Sequence, residues 1–380
     1  MDFKEKYGEV ITPDHLIEEI FLYLEKLLYN YEKIDLYEVG YGRGNFYNKY
    51  NLKFKTNYEG CEINDEYLLP KNIQKGDFLD INIGLYDVIL GNLPFNSGGL
   101  LNVPCRKIHS KGTSIWKPIL KKCVEHIKDE GYGCFIIPCI WLKPDKDHIY
   151  DLLTQYEIKY LKIYNSTESN KLFNYECQTP ICYVIFKKKI NISRIINIYD
   201  KNIKDFIEFN HEKNKCIPTD NIELIHKCQL FIRDRPYIKT LEPIKISCTK
   251  KTILPCDDKD CNFVITTSIL NEDKTKLCHK GFYSKINAPY YGIEKVMLTH
   301  KRLPIAEHDS KGIYGLYGRD KYVILGENCS YVTKYINSKK IQKIIKSFCV
   351  RMNFYEKHIF EYIPDPRTFK DNDYDLFMSL

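Results

Sequence analysis

Apolar residues in the first half of the chain follow two rhythms. Leu16, Ile17, Ile20, Phe21, Leu24, Leu27 and Leu28 recur at helical spacing and predict one amphipathic helix. Thr12 stands where an N-cap would, Pro13 suits the first helical position, and Asp14 complements the helix dipole. Unbroken apolar and β-branched runs predict buried strands at 34–39, 86–90, 134–138, 158–164 and 179–187, with a shorter strand ending at Glu62. Helical periodicity returns at 114–128 and 150–156. Strands alternating with helices predict an α/β fold, a mixed, mostly parallel sheet closed by the strand at 179–187.

The pattern changes after Lys187-Lys188-Lys189, a basic connection that predicts a domain boundary. Residues 1–195 then form the first domain and 205–365 a second, α+β domain of short strands punctuated by Pro218, Pro236, Pro243, Pro255, Pro289 and Pro304. Ser338 to Val350 predicts a helix with its lysines outward, and the acidic stretch 366–380 is expected to fray as a flexible tail.

Composition narrows the class. With 44% hydrophobic and 14% aromatic residues, the 380-residue chain can bury a sizeable core. The charged opening MDFKEKYGEV has no apolar signal core, and no run approaches a membrane span, so a soluble cytoplasmic protein of a bacterium or a virus-infected cell is expected. Fifteen scattered cysteines read as reduced thiols. Cys248, Cys256, Cys261, Cys278 and His279 lack a CxxC pair and regular spacing, so no metal is expected. Net charge is −1 over residues 1–200 and +8 over 201–380, which places the whole +7 excess in the second half. That asymmetry fits a polyanion partner. Lys301, Arg302, Arg319 and Lys321, interleaved with Tyr314 and Tyr317, are the candidate contacts for phosphates and bases.

The candidate chemistry sits at strand ends. Asn92-Leu93-Pro94-Phe95 follows the strand at 86–90, just past its C-terminal end, where open α/β sheets bind ligands. The exocyclic amine of adenine is a poor nucleophile because its lone pair is delocalised into the ring. The Asn92 side-chain oxygen and the Leu93 carbonyl can accept both amine hydrogens and localise that pair. Pro94 fixes the backbone, and Phe95 offers a ring for stacking. Upstream, Glu38-Val39-Gly40-Tyr41-Gly42-Arg43-Gly44 places glycines at alternate positions, which lets a ligand approach the backbone. Glu62, some twenty residues on, suits a carboxylate that receives the two hydroxyls of a ribose, with Ile63 packing against the attached base.

These motifs, in this order within the first 96 residues, resemble the S-adenosylmethionine-dependent DNA adenine-N6 methyltransferases of restriction–modification type, catalytic domain first and target recognition last. The resemblance covers residues 6 to about 187 and rests on the tetrad, whose usual form is (Asn or Asp)-Pro-Pro-aromatic; Leu93 departs from it. It implies a Rossmann-like methyltransferase fold and S-adenosylmethionine as cofactor. Thr12 would lie near the methionine end of that cofactor, with the loop from Glu38 through Gly40 and Gly42 around its amino-acid part. Asp77 and Phe78 would lie at its adenine, the former reaching the amine. Phe173, or alternatively Tyr175, would stack on the far side of a flipped base. The implied partners are double-stranded DNA and a cognate restriction endonuclease, around a monomer or dimer. Three other readings stay open. They are an RNA adenine methyltransferase, favoured by the NLPF variant, a protein glutamine methyltransferase, and a nucleic-acid-binding module with a degenerate cofactor fold.

Overall fold

The computed structural model describes residues 9–50, 55–97, 113–241, 255–256, 262–272, 276–285, 288–299, 305–316, 321–348, 350 and 355–380. They divide into two compact units, Met1–Thr219 and Asp220–Leu380.

In the first unit, α1 (Asp14–Leu27) forms where the apolar stripe predicts it, burying Leu16, Ile17, Ile20, Phe21 and Leu24. Each such side chain contributes on the order of 1.5–3 kcal/mol on leaving water. Pro13, with extended backbone, is the N-cap residue. Thr12 does not cap the helix as the sequence suggests; its hydroxyl is committed elsewhere, to Asn92. Nine strands follow: β1 (Lys33–Val39), β2 (Lys55–Glu62), β3 (Ile73–Lys75), β4 (Tyr86–Asn92), β5 (Ile127–Pro138), β6 (Tyr156–Tyr164), β7 (Ile181–Ile190), β8 (Ile195–Asp200) and β9 (Asp205–Asn210). They make one sheet in the order β9-β8-β6-β7-β5-β4-β1-β2-β3. The pairs β3–β2, β2–β1, β1–β4, β4–β5 and β6–β8 are parallel. Strand β7 is antiparallel to both β5 and β6. The expected mixed, mostly parallel Rossmann-like sheet is therefore present.

Two expectations about this unit change. The strand at 179–187 does not close the sheet; it is inserted between β5 and β6, and the β8–β9 hairpin extends the edge. That hairpin carries the first unit to residue 219 rather than 195, because Ile198 pairs with Leu161 of β6. The strand order brings β3, β2, β1 and β4 side by side with their C-terminal ends on one edge. Their C-terminal ends and the segments just past them carry the glycine loop, Glu62, Asp77 and the Asn92 tetrad; Thr12 and Pro13 lie before α1. Helices α2 (Asn45–Lys49), α3 (Trp116–His126), α4 (Ile149–Thr154) and α5 (Ser166–Leu172) flank the sheet.

The second unit has the expected α+β character. Strands β10 (Asn262–Leu270) and β11 (Leu277–Ser284) pair antiparallel; β12 (Lys295–Thr299) pairs with β13 (Glu307–Asp309) and β15 (Lys321–Ile324), while β14 (Tyr314–Leu316) runs parallel to β10. Its helices are α6 (Ile222–Ile232), α7 (Cys329–Ile336), α8 (Lys339–Lys346) and α9 (Asp373–Ser379). The C-terminal stretch is not a frayed tail. Phe377 is fully buried, with its ring 5.0 Å from Phe231 and 6.3 Å from Tyr335. Phe369 and Tyr374 pack beside it, 6.0 and 6.3 Å from Tyr335, so a cluster of rings docks the segment despite its acidic residues.

Candidate active site

The glycine loop leaves β1 with Gly40 and Gly42 at φ +75° and +57°, a region that side-chain-bearing residues rarely adopt. An added Cβ would meet open space at Gly40 and only a backbone oxygen 4.0 Å away at Gly42, so the loop borders a cleft. The loop is tied to β2 by two bonds: Tyr41 N–H donates to the Cys61 carbonyl (3.0 Å), and Gly42 N–H to Glu62 Oε2 (2.6 Å). Glu62 Oε1 accepts from Asn64 N–H (2.7 Å). Two oriented backbone donors hold this carboxylate at the rim and pull its pKa down against burial, the larger, upward effect. Asn64 is itself 1% exposed, and its Nδ2 has no partner among the described residues. A buried donor without a partner is costly unless a ligand satisfies it.

Glu38 behaves differently from Glu62. It is 1% exposed, and Tyr58 Oη donates to its Oε2 at 2.7 Å. Burial pushes its carboxyl up to about 8; the tyrosine bond opposes this and nearby Glu62 reinforces it. Below the ordinary carboxylate range both folded and unfolded chains hold this proton. From there to about pH 8 the unfolded chain releases it and the folded chain keeps it, so stability falls as pH rises through that window. Glu38→Gln is expected to flatten this slope. Thermal unfolding midpoints of the two proteins at pH 5 and pH 8 check it: a wild-type midpoint no lower at pH 8, or an unchanged slope in Glu38→Gln, would refute the assignment.

At the end of β4, Asn92 Nδ2 donates to the Val10 carbonyl (3.1 Å) and to Thr12 Oγ1 (3.0 Å). The amide is therefore oriented, and its Oδ1 accepts no hydrogen bond from any described residue. Leu93 is buried and donates its N–H to Ile136 (3.3 Å), while its carbonyl is likewise unclaimed among the described residues. Two acceptors from consecutive residues are thus left without a donor among the described residues at the strand end. Pro94 and Phe95 are half-buried, and Phe95 packs against the main core. Residues 96–97 pair with 113–114 in a short ribbon. Most of the expected substrate-gripping loop, 98–112, lies outside the described residues.

The segment Glu9–Thr12 joins the two halves of this cleft. Besides holding Asn92, it bonds Asn45 through the Thr12 carbonyl (3.4 Å), and Glu9 Oε1 receives Arg43 Nε (3.3 Å) and Tyr67 Oη (2.6 Å). Glu9, Arg43, Asn64 and Tyr67 escaped the sequence reading. Glu9, just before Thr12-Pro13, Arg43, inside the glycine motif, and Asn64, two residues past Glu62, carried a signal through their places in those motifs; Tyr67 carried none.

The remaining predicted residues divide. Ile63 is 42% exposed, with an apolar face open to a ligand. Asp77 is half-buried, and its Oδ1 accepts from Leu79 N–H (2.9 Å). Phe78 is 4% exposed, packed beside Tyr37 (6.0 Å) and under Lys122 Nζ (5.1 Å), so it has little surface left for a base. Phe173 is 3% exposed within the main core, too deep to stack on a base. Tyr175, the alternative, is 73% exposed at φ +68° on the loop into β7. Lys321, expected to contact phosphate, is 1% exposed and donates to Ser268 Oγ; it is a core group. Tyr314 is half-buried against Phe263 and His279. Lys301, Arg302, Tyr317 and Arg319 lie outside the described residues, as do Cys248 and Cys261. Among the described residues, no His, Cys, Asp and Glu cluster could hold a metal ion, and no helix is long and apolar enough to cross a membrane.

No family model and no curated protein matches the chain. Solved structures similar to it include the type IIG restriction endonuclease BpuSI, at 12% identity over 99% of this chain and 61% of that one, with a TM-score of 0.46. The M protein of the type I restriction enzyme EcoKI is 14% identical over 50% of this chain and 48% of that one, with a TM-score of 0.37. A methyltransferase from Pyrococcus furiosus is 14% identical over 44% of this chain and 83% of that one, with a TM-score of 0.26. The chain thus spans about half to three fifths of the two restriction proteins. Likeness of this degree carries no argument about chemistry, which rests on the residues themselves.

Proposed function

We propose that the chain is an S-adenosylmethionine-dependent methyltransferase acting on the exocyclic N6 amine of adenine in DNA, as the modification component of a restriction–modification system. The observation that carries this reading is the orientation of Asn92. Val10 and Thr12 fix the amide nitrogen, which leaves Oδ1 and the Leu93 carbonyl as a pair of acceptors for the two hydrogens of one amino group. Accepting both hydrogens returns the nitrogen lone pair from the ring and aims it. The base must leave the duplex to reach this strand end. Phe95 supports it on one side, and Tyr175 is the ring available on the other.

The residues present fit the cofactor. Glu62 would receive the ribose hydroxyls, Ile63 would lie against the adenine, Asp77 would reach its amine, and the open backbone at Gly40 and Gly42 would face the amino-acid part. Thr12 sits between that loop and Asn92. Glu38 lies beneath the loop, bonded to Tyr58. When bound, S-adenosylmethionine supplies a methyl group on a sulfonium; the chain itself needs no general base, since the amine proton can leave after that charge has gone.

For DNA, the supporting feature is α8. Lys339, Lys343 and Lys346 are exposed on one face and lack carboxylate partners among the described residues, while Ile341, Ile344 and Ile345 are buried. DNA affinity is expected to fall steeply with salt, and Lys343→Ala to reduce the log–log slope by about 0.9. A flat salt response would remove α8 as a phosphate contact.

The deciding experiment is transfer of a labelled methyl group with duplex DNA, ribosomal RNA and protein as parallel acceptors. Label in DNA N6-adenine is the expected result. Label confined to RNA or protein would overturn the DNA reading. Thr12→Val should lower the rate roughly tenfold by loosening the Asn92 amide, with the affinity for duplex DNA unchanged; an unchanged rate would remove Thr12 as a positioning residue.

A further inference from the structure

Beyond β7, on the same edge of the sheet, the first unit carries an open pocket of about 630 Å³. That is within the range of roughly 300–1,000 Å³ typical of small-ligand sites. Its walls include Lys162 and Tyr164 at the end of β6, Lys171 and Asn174 at the end of α5, and Tyr199 and Lys201 at the end of β8. Pro13 and His15 form the wall nearest the candidate active site. Two of the three lysines are already neutralised. Lys162 Nζ is held by both carboxylate oxygens of Glu19 (2.7 and 2.9 Å) and lies 4.4 Å from the Tyr199 ring centroid. Lys201 Nζ bonds Glu168 Oε2 at 2.6 Å. Lys171 is exposed and has no carboxylate partner among the described residues. What remains is one uncommitted cation beside two half-buried tyrosine rings, a combination suited to a single phosphate and a planar base.

The position narrows the ligand. Pro13 follows Thr12, whose hydroxyl holds Asn92, and Asn174 precedes Tyr175, an exposed ring. The pocket therefore lies on the acceptor side, with β7, β5, β4 and β1 between β6 and the end of β2 proposed to hold the ribose. Three strand spacings of about 4.8 Å separate β4 from β6, roughly 14 Å, within reach of the next nucleotides of an extended strand. We propose that this pocket seats a nucleotide flanking the methylated base on the same DNA strand, with its phosphate on Lys171 and its base against Tyr164 and Tyr199. The β8 wall belongs to the hairpin that extends the sheet past β6, so the site is a product of that extension. This inference rests on the proposed nucleic-acid methyltransferase reading for what lies beside it, but binding can be read without transfer.

The test uses the full chain and fluorescence anisotropy of a labelled single-stranded deoxyadenosine 12-mer, with dAMP as competitor. Lys171→Glu is expected to weaken 12-mer binding at least tenfold, while Lys171→Arg stays within about twofold of wild type. Equal affinity in wild type and Lys171→Glu would overturn the proposal. So would saturable dAMP binding, lost in Lys171→Glu, with no 12-mer binding, which would make the pocket a free-nucleotide site. If no acceptor is methylated but Lys171→Glu still loses the 12-mer, the pocket stands and the methyltransferase reading falls. If transfer to DNA occurs and Lys171→Glu transfers with an unchanged KM for DNA, the pocket proposal alone fails.

Discussion

Asn92→Ala is expected to lower methyl transfer on the order of a thousandfold while S-adenosylmethionine binds within about threefold of wild type. The substitution removes Oδ1, one of the two acceptors at the end of β4, and an acceptor placed at the reacting group acts mainly in the transition state. Losses of about 10²–10³ are usual when one such preorganised polar contact is removed. The fold should tolerate the change, because Val10 is half-buried and the space left by the amide lets water reach the buried Thr12 hydroxyl. Asn92→Asp separates the two functions of the side chain. It keeps an acceptor facing the amine but gives up the N–H bonds to Val10 and Thr12, and its second oxygen faces the Val10 carbonyl. An intermediate rate is expected. Labelled-methyl transfer and calorimetric cofactor titration measure both quantities; an alanine variant with more than a tenth of the wild-type rate would dismiss the assignment.

The largest stability effect is expected at Lys295. Its ammonium is fully buried in the second unit, where it donates to Asp309 Oδ2 (2.5 Å) and to the carbonyls of Tyr290 (2.9 Å) and Ile293 (3.2 Å). Burial lowers its pKa, and Asp309 opposes that effect. Asp309 in turn accepts from the backbone of Ile313 and Tyr314, fixing the turn into β14. Lys295→Met would strand the Asp309 charge, at a cost of about 3–5 kcal/mol. Lys295→Met with Asp309→Leu should recover part of this loss, though not the two backbone bonds that Asp309 accepts. Denaturant unfolding of the three proteins tests the pair. A single variant within about 1 kcal/mol of wild type would show that the charges are not coupled.

Much of the first unit was legible because its information is local. Strands β1, β4, β5 and β7 carry long apolar runs, and Gly40, Glu62, Asn92 and Leu93 sit at or just past strand ends. Parallel strands deliver those ends to one edge, so the order of motifs along the chain translates into a cleft. Glu62 was legible for the same reason, since it ends its strand.

Residues whose role depends on depth were less legible. Phe173 and Tyr175 are two positions apart and equally aromatic, yet one lies in the core and the other in solvent. A helix end followed by consecutive left-handed residues, Asn174 and Tyr175, separates them, and no periodicity encodes that turn. Lys321 looked like a phosphate contact because charge suggests surface. In fact β15 is buried along its length, and the lysine finds Ser268 53 residues away in the chain.

The sequence by itself determined the α/β class, the neighbourhood of the cleft and the types of group within it. Side-chain period and strand-end position are properties of short segments. Only the tertiary structure decided which way the Asn92 amide points, because that depends on Val10 and Thr12, 82 and 80 residues distant. It likewise decided that Glu38 holds its proton while Glu62 is met by backbone donors. Protonation and orientation follow from burial and partners, and these exist only once distant segments pack.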